Sequence, residues 1–264
     1  MKVSTCSYRP ILVPCGLKNF DYQVDTYVGC EHLCNYCYVL NQAETDWSKE
    51  IRIHYGIADQ LGQELENISP QKIYMGYYSD PYQPCEAHYR QTRNVLELFL
   101  KYGYSVSILT KSDLVVRDID LLREMDDASV GVSVAFNDNR TRRLFEANTT
   151  ETEARISALR KLREAGIATS ALICPVIPHI TDVTSLIELL VPHTSKIWIY
   201  GLSMQKRSDQ NWSNVQGVLN NHFATLKKQI EAAIFSNDHF YWIRLRQKLQ
   251  RLQQEQELNL SIHL

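Results

Sequence analysis

Short runs of apolar and β-branched residues alternate along this chain with stretches whose apolar residues recur every three or four positions. The first pattern is typical of buried strands and the second of amphipathic helices. The strand-like runs are a short one before Gly29, then 72–78, 105–110, 129–135, 169–176 and 196–202. The helical patterns between them cover 57–65, 95–100, 119–125, 156–162 and 186–190. Six βα units in series predict a parallel sheet.

The repeat order indicates how that sheet is arranged. Right-handed βα connections curl a parallel sheet into a barrel, so six units favour an α/β fold built as a partial (β/α)6 TIM-like barrel, with a doubly wound sheet as the alternative. Residues 211–264 are rich in Gln, Lys, Arg and Glu with helical periodicity. We therefore expect a barrel core over 1–210 and a helical C-terminal extension over 211–264, packed on the same domain.

Composition narrows the class of protein. The chain has 264 residues, of which 44% are hydrophobic and 22% charged, and its formal net charge is -2. These values indicate an ordinary soluble globular protein, and they neither require nor exclude a nucleic-acid partner. No apolar stretch is long enough for a membrane span and the N-terminus lacks a signal-peptide core, so we expect a cytoplasmic protein with no membrane partner.

Three closely spaced cysteines are the strongest chemical signal. Cys30, Cys34 and Cys37 form a CxxxCxxC run, which can ligate three irons of a [4Fe-4S] cluster and leave the fourth iron open to a small molecule. A structural zinc ion is the alternative. It needs four ligands, usually in two pairs, and here only His32, inside the same loop, could complete a Cys3His set.

Polar clusters follow the next predicted strands. They lie at 79–82, 111–113 and 137–138, after the second, third and fourth strands. The carboxyl ends of parallel strands meet at one end of a barrel. We therefore expect these clusters and the cysteine run to converge on the same mouth.

Several separated motifs then resemble a known family. The CxxxCxxC run with an aromatic residue before its last cysteine resembles the radical S-adenosylmethionine (SAM) superfamily, and four motifs in order are similar to its spore photoproduct lyase-like branch. These motifs are 29–38, 78–84, 110–112 with 117–118, and 175–178. The resemblance spans about 24–182 and implies a partial (β/α)6 barrel.

The resemblance implies a specific chemistry. The methionine amine and carboxylate of SAM would chelate the open iron, and an electron would cleave SAM to a 5'-deoxyadenosyl radical that abstracts hydrogen from a substrate. The implied cofactors are one [4Fe-4S] cluster and SAM. The implied partners are an electron donor such as flavodoxin or ferredoxin, and an unidentified substrate that is a nucleic acid, a peptide or a small molecule.

It also implies roles for individual residues. Ser79 and Asp80 would bind the SAM amine or ribose, Lys111 its carboxylate and Ser133 the ribose, while the backbone around Tyr36 would face adenine. Each has a structural alternative, which is a plain turn for Ser79-Asp80, a surface charge for Lys111 and an interior hydroxyl for Ser133.

The choice of candidate catalytic residues depends on one position at which this sequence differs from the spore photoproduct lyase. That enzyme uses a cysteine two residues before its Ser-Asp pair and two tyrosines that flank its third cluster cysteine. Here Tyr36 and Tyr38 match the tyrosines, but Tyr77 occupies the cysteine position and Cys85 lies a few residues later. Tyr77, Cys85 and Tyr38 are thus the candidates. A DNA-lesion repair lyase and a non-enzymatic metal-stabilised binding module remain alternatives.

Two further predictions concern buried groups. Four charged residues in stretches that resemble the family are expected to form buried ion pairs rather than to contact substrate: Glu86, Arg93, Glu146 and Arg155. Cys174 lies in an apolar run, so we expect burial rather than metal ligation.

Overall fold

The computed structural model describes residues 1–6 and 8–264. The strands are β1 (Lys2–Thr5), β2 (Leu12–Pro14), β3 (Tyr22–Val24), β4 (Tyr27–Val28), β5 (Glu50–Ile53), β6 (Lys72–Met75), β7 (Ser105–Thr110), β8 (Ser129–Ser133), β9 (Ala168–Val176), β10 (Ile197–Gly201) and β11 (Leu260–His263). The α-helices are α1 (Ile57–Leu65), α2 (Glu86–Tyr89), α3 (Gln91–Tyr102), α4 (Ile119–Leu122), α5 (Asn139–Phe145), α6 (Thr152–Glu164), α7 (Val183–Leu190), α8 (Gln210–His222), α9 (Lys227–Ile234) and α10 (Phe240–Glu255). Short 3-10 helices cover Tyr38–Gln42, Asp113–Asp118 and Val191–His193.

One eight-stranded sheet dominates the fold. Its strand order is β11-β10-β9-β8-β7-β6-β3-β2, and every neighbouring pair is parallel except β2 with β3. The six predicted strands correspond to β3 and β6 to β10, which confirms the parallel α/β architecture. Because the order is linear, with β2 and β11 at its edges, the sheet is an open, partial barrel.

Two features of the sheets differ from the expectation. The segment predicted as a helical extension contains three helices but also β11, which pairs with β10 in parallel register, Ile197 beside Leu260. A second sheet of order β1-β5-β4 lies before the first long helix. These strands are two to four residues long, too short for a periodic signal. The proposed division at residue 210 stays a prediction.

Side-chain alternation separates the two faces of the main sheet. In β9, Ala171 and Ile173 are buried in the core between the sheet and its helices, whereas Ser170, Leu172 and Cys174 alternate with them and are half-buried. Alternate residues of a strand point to opposite faces. The second set therefore lines the concave face of the barrel.

Two smaller hydrophobic clusters support the mouth. One contains Phe136, Phe145 and Trp212 and connects the C-terminal helices to the strand ends. The other contains Tyr27, Trp47 and neighbouring apolar groups, beside the cysteine run. Burial of each such large side chain contributes roughly 1.5–3 kcal/mol. Among the described residues, no helix combines the length and apolar character that crossing a membrane requires.

Candidate functional site

The three cysteines lie on one anchored segment, residues 29–38, called here the Cys loop. Cys34 forms an isolated antiparallel bridge with Glu146. The backbone N–H of Asn35 donates to the carbonyl of Phe145 at 2.8 Å, and the amide of Asn148 donates to a carbonyl of the loop, also at 2.8 Å. The loop is therefore bound along residues 144–148, the segment that ends and follows α5.

The cysteine side chains are half-buried free thiols. Burial raises the pKa of Cys30, of Cys37 and of Cys34, the last to about 12. The carboxylate of Asp80 raises the pKa of Cys30 further, whereas the ammonium of Lys111 partly offsets the rise at Cys34. The free protein therefore holds neutral thiols, and metal binding must release their protons.

Within residues 1–6 and 8–264, no group of three or more His, Cys, Asp or Glu side chains is arranged to hold a single metal ion. His32, the proposed fourth zinc ligand, faces oxygen atoms instead. Its Nε2 lies 3.2 Å from Oδ2 of Asp80 and its Nδ1 lies 3.3 Å from the carbonyl oxygen of Asn148. This arrangement disfavours a Cys3His zinc site.

The turn after β6 brings the second polar cluster beside the Cys loop. Gly76 has a φ of 104°, and a Cβ built on it would lie 2.3 Å from the carbonyl oxygen of Leu109. Only glycine fits this close approach to the neighbouring strand. The chain thereby turns across the mouth. This turn is held by the carboxylate of Asp25, which accepts hydrogen bonds from the N–H groups of Tyr78 and Ser79 at 2.7 and 2.9 Å.

The carboxylate of Asp80 has protein partners at both oxygens. Its Oδ1 accepts from the hydroxyl of Thr110 at 2.6 Å and from the N–H of Tyr82 at 2.9 Å, and its Oδ2 accepts from the N–H of Lys111 at 2.7 Å. Burial opposes ionisation, but His32 and these donors outweigh it and lower the pKa of Asp80 to about 2. Asp80 therefore joins the turn after β6 to the end of β7.

Two predicted ligand contacts lack a protein partner among the described residues. The hydroxyl of Ser79 is buried without a hydrogen bond. The Nζ of Lys111 lies 5.9 Å from the ring centroid of Tyr36, with no described carboxylate within 4 Å. Burial lowers the pKa of Lys111, but the nearby Cys34 and Glu146 raise it by more, so its ammonium is retained. Both groups are free to bind a ligand.

A buried charge network supports the Cys loop from below. Arg155 donates to Oε2 of Glu146 at 2.7 Å and to the carbonyl of Ser133 at 2.9 Å. The other carboxylate oxygen, Oε1, accepts from the hydroxyl of Tyr36. Glu146 and Arg155, two of the four residues expected in buried ion pairs, thus pair with each other, and both side chains are buried.

The other two charged residues expected in ion pairs, Glu86 and Arg93, pair with other residues and not with each other. Glu86 is buried against Arg117 at 2.5 Å, not against the side chain of Arg93. Arg93 instead contacts Asp118 at 2.8 Å and Asp120 at 2.7 Å. The ion pairs were expected correctly as a structural feature, but Arg117 was not anticipated as the partner.

Ser133 and Cys174 meet at the ends of β8 and β9. The hydroxyl of Ser133 donates to the carbonyl oxygen of Cys174 at 3.1 Å. Ser133 is buried, whereas Cys174 is half-buried on the concave face. Burial raises the pKa of the Cys174 thiol. The predicted ribose contact of Ser133 remains untested.

The three catalytic candidates fall into two places. The rings of Tyr38 and Tyr77 are perpendicular with centroids 6.2 Å apart, and the hydroxyl of Tyr38 donates to the carbonyl of Tyr77 at 2.8 Å. Cys85 lies in the apolar cluster with Tyr27 and Trp47, and burial raises its pKa. The structure thus brings the two tyrosines together and places Cys85 on the side of the Cys loop that packs on this cluster.

A cavity of about 340 Å³ lies beside the mouth. Its lining comes from the open edge of the barrel, the Cys loop and the exposed Tyr78, and includes Asp25, Gly29, Trp47 and His54. Burial raises the pKa of Asp25 and lowers that of His54. A mixed apolar and polar cavity of this kind suits a small organic group. The sequence patterns had not singled out Asp25, Trp47 or His54, which approach the Cys loop only in the folded chain.

Comparisons with known proteins agree with this geometry. The model of the Radical SAM superfamily matches residues 24–190. An uncharacterized protein of Methanocaldococcus jannaschii is 30% identical over 231 residues, which cover 84% of this chain and 87% of that protein. An uncharacterized protein of Mycobacterium tuberculosis is 29% identical over 210 residues, which cover 73% of this chain and 62% of that protein.

Solved structures share the fold. A spore photoproduct lyase mutant with bound AdoMet and dinucleoside spore photoproduct has a TM-score of 0.56 at 17% identity, covering 83% of this chain and 65% of that one. SuiB of Streptococcus suis, bound to S-adenosylmethionine, has a TM-score of 0.57 at 12% identity, covering 90% and 48%. The family model covers well over half of the chain. This chain therefore belongs to the radical SAM superfamily of enzymes, whose cofactors are a [4Fe-4S] cluster and S-adenosylmethionine.

Proposed function

We propose that this enzyme cleaves SAM reductively at the mouth of its partial barrel and removes a hydrogen atom from an organic substrate held there. One observation carries the proposal. Three half-buried thiols on a single anchored loop lie beside a hydroxyl and an ammonium for which residues 1–6 and 8–264 supply no hydrogen-bond or ion-pair partner. When bound, the reduced cluster supplies the electron that splits SAM into methionine and a 5'-deoxyadenosyl radical, and the protein supplies position and exclusion of water.

The donor set fits these cofactors. Cys30, Cys34 and Cys37 would hold three irons, since soft thiolates are the usual ligands of iron-sulfur clusters. Lys111 would bind the carboxylate of SAM because a half-buried ammonium with no described carboxylate within 4 Å favours an anion. Ser79 would bind the amine or the ribose hydroxyls with its free oxygen.

The other predicted contacts are less direct. Asp80 and Ser133 already have protein partners, so either would reach SAM only through a remaining lone pair. The backbone beside Tyr36 is proposed to face adenine. The phenol of Tyr36 is turned to Glu146, which fixes the ring next to Lys111.

We assign the hydrogen-transfer path to the tyrosine pair. Tyr38 and Tyr77 are in edge contact, and Tyr38 is half-exposed at the mouth. A phenol can donate a hydrogen atom or relay an electron. Cys85 is the second candidate, but it packs among apolar side chains, where a thiol is usually inert. Flavodoxin or ferredoxin is the proposed electron donor.

The substrate class is the open part of the proposal. The matched lyase structure holds a dinucleoside photoproduct, and a matched SuiB structure holds a precursor peptide. A DNA-lesion lyase is the second candidate function, supported by the matching Tyr36 and Tyr38 and weakened by Tyr77 in the place of the donor cysteine. Binding to DNA that weakens steeply with salt would favour it.

The test begins with anaerobic reconstitution using iron and sulfide. Dithionite and SAM are then added, and 5'-deoxyadenosine and methionine are quantified by liquid chromatography. We expect about four irons per chain, as in one [4Fe-4S] cluster, and SAM-dependent 5'-deoxyadenosine. Turnover in deuterated buffer with candidate oligonucleotides and peptides then shows where the abstracted hydrogen originates.

Two results would contradict the proposal. One is a protein that retains about one zinc and no iron after the same treatment. The other is a cluster-loaded protein that forms no 5'-deoxyadenosine with SAM and dithionite. A metal-stabilised binding module predicts the second result, together with unfolding of the Cys34→Ala variant.

A further inference from the structure

We propose that His32 and Asp80 are positioning residues whose contact, called here the latch, holds the thiols of the Cys loop in place for the cluster. The latch joins the Cys loop to the buried charged groups beneath it, Asp80, Glu146 and Arg155, which are called here the floor of the mouth. The proposal rests on the proposed function only in taking these thiols as the cluster ligands. His32 lies between two of them, and its Nε2 is 3.2 Å from Oδ2 of Asp80. The contact joins segments 48 positions apart in the chain.

Burial makes this contact significant. The side chains of His32 and Asp80 are 2% and 9% exposed. The Nε2 of His32 has no hydrogen-bond partner of full geometry among the described residues, and Oδ2 of Asp80 is the oxygen atom that it faces. Removing one member of a buried polar pair leaves the other without compensation.

The floor side of the latch is rigid. Asp80 is held at both oxygens by Thr110, Tyr82 and the N–H of Lys111. These donors belong to the turn after β6 and to the end of β7, whose backbone is fixed by the sheet. The carboxylate cannot move toward the solvent without breaking them, so it offers His32 a fixed partner.

The loop side has a second contact at the same ring. The Nδ1 of His32 lies 3.3 Å from the carbonyl oxygen of Asn148, and the N–H of Asn148 donates back to the carbonyl of His32 at 3.2 Å. His32 thus ties the Cys loop to the segment after α5 and to the turn after β6 at once. Among the described residues, no other side chain between Cys30 and Cys37 forms hydrogen bonds or ion pairs with both of these segments.

The test measures thiol accessibility in the apo protein, where no cofactor is needed. Iodoacetamide labelling followed by peptide mass spectrometry gives a rate for each cysteine. We expect His32→Ala and Asp80→Ala each to speed labelling of Cys34 by about tenfold through local opening, with Cys174 unchanged. The double variant should be no faster than either single variant, because one contact is lost in all three.

Two matched controls separate the latch from general loosening. His88→Ala removes an exposed histidine, and Thr110→Val removes another partner of Asp80 while keeping side-chain shape. The His88→Ala rate should stay within about twofold of the parent rate, and Thr110→Val should label more slowly than Asp80→Ala because two of the three donors to Asp80 remain. Circular dichroism checks folding, and His32→Gln replaces His32→Ala if the latter does not fold.

Three outcomes would overturn the latch. They are unchanged labelling of Cys34 in His32→Ala, multiplied effects in the double variant, and a Thr110→Val rate equal to that of Asp80→Ala. Iron content after reconstitution gives a second readout, which should fall at least twofold in His32→Ala. Failure of SAM cleavage in the parent protein would leave the apo labelling rates, and hence this inference, unaffected.

Discussion

The two sides of the mouth differ in how completely their polar groups are paired. On the floor, Asp80 has protein partners at both oxygens, and Glu146 is paired with Arg155 and Tyr36. On the open side, Lys111 has no described acidic partner within 4 Å and Ser79 has no hydrogen bond. Unpaired buried polar groups cost stability. We therefore interpret the floor as a structural support and the open side as the proposed ligand-binding surface.

This contrast assigns different phenotypes to neighbouring residues. A change on the floor should lower folding stability whether or not cofactors are present. A change on the open side should leave the apo protein stable and weaken ligand binding. The cysteines of the Cys loop belong to neither group, because they are the proposed ligands of the cluster itself.

Cys34→Ala should have the largest effect. It removes one of the three proposed cluster ligands, so reconstituted protein should lose most of its iron and all detectable SAM-dependent 5'-deoxyadenosine. Iron analysis and chromatography measure both. Cys15→Ala, at a half-buried cysteine outside the Cys loop, is the control and should retain both properties. Full activity in Cys34→Ala would remove the proposed cluster site.

Glu146→Leu should be the most damaging change on the floor. It leaves the buried Arg155 without its partner and should lower the free energy of unfolding by about 3–5 kcal/mol. Urea denaturation of the apo protein measures the change. Breaking the exposed pair of Arg160 and Glu164 with Arg160→Ala should cost about 0–1 kcal/mol. Equal losses in the two variants would contradict the contrast.

Asp80 should make the apo protein sensitive to acid. Its pKa of about 2 lies below the unfolded value near 3.9, so its contribution to stability is present above about pH 4 and is lost as the pH falls toward 2. The loss should be on the order of 2 kcal/mol, with about half of it by pH 3. Denaturation curves at several pH values give the free energy of unfolding as a function of pH. In Asp80→Asn, the decrease in this free energy between about pH 4 and pH 2 that is due to Asp80 should be absent. If the free energy of unfolding of Asp80→Asn depended on pH as that of the parent protein does, other groups would be the cause of the acid sensitivity.

Lys111→Met should sharpen the contrast from the open side. It should weaken SAM binding to the cluster-loaded protein by about tenfold to a hundredfold, the value of one charge-assisted contact. The stability of the apo protein should fall much less than in Glu146→Leu, because Lys111 has no described carboxylate within 4 Å. Calorimetric titration with SAM measures the first effect, and Lys101→Met, at an exposed residue, is the control. Unchanged affinity would reassign the carboxylate contact.

Cys85→Ala should have the smallest effect. The thiol packs in the apolar cluster beside the Cys loop, so its loss should cost about 1 kcal/mol of stability. SAM cleavage should stay within about twofold of the parent rate. A selective loss of product formation, with 5'-deoxyadenosine still formed, would instead support Cys85 as the hydrogen donor.

The sequence predicted the frame of this molecule better than its contacts. Six apolar runs located β3 and β6 to β10 because buried parallel strands carry a strong local signal. The short β11 gave none, since it acquires its place only by pairing with β10, over sixty positions earlier. The same limit applied to the second sheet, whose strands have two to four residues.

The candidate site shows the same difference between features with a local sequence signal and features that form only on folding. The cysteine spacing alone indicated the cluster loop, because three ligands on one short segment need no tertiary information. The contact of His32 with Asp80 joins residues far apart in sequence, and the pairing of Glu86 with Arg117 depends on which guanidinium reaches the buried carboxylate. Only packing decides such partners.

The open barrel also affects how the protein behaves in concentrated solution. A linear strand order leaves one backbone rim along β2 and another along β11 without a neighbouring strand among the described residues. The first rim is three residues long and ends at Pro14, which lacks an N–H to offer. The β11 rim contains no proline. Intermolecular strand addition, and with it aggregation during purification, is therefore expected to start at β11.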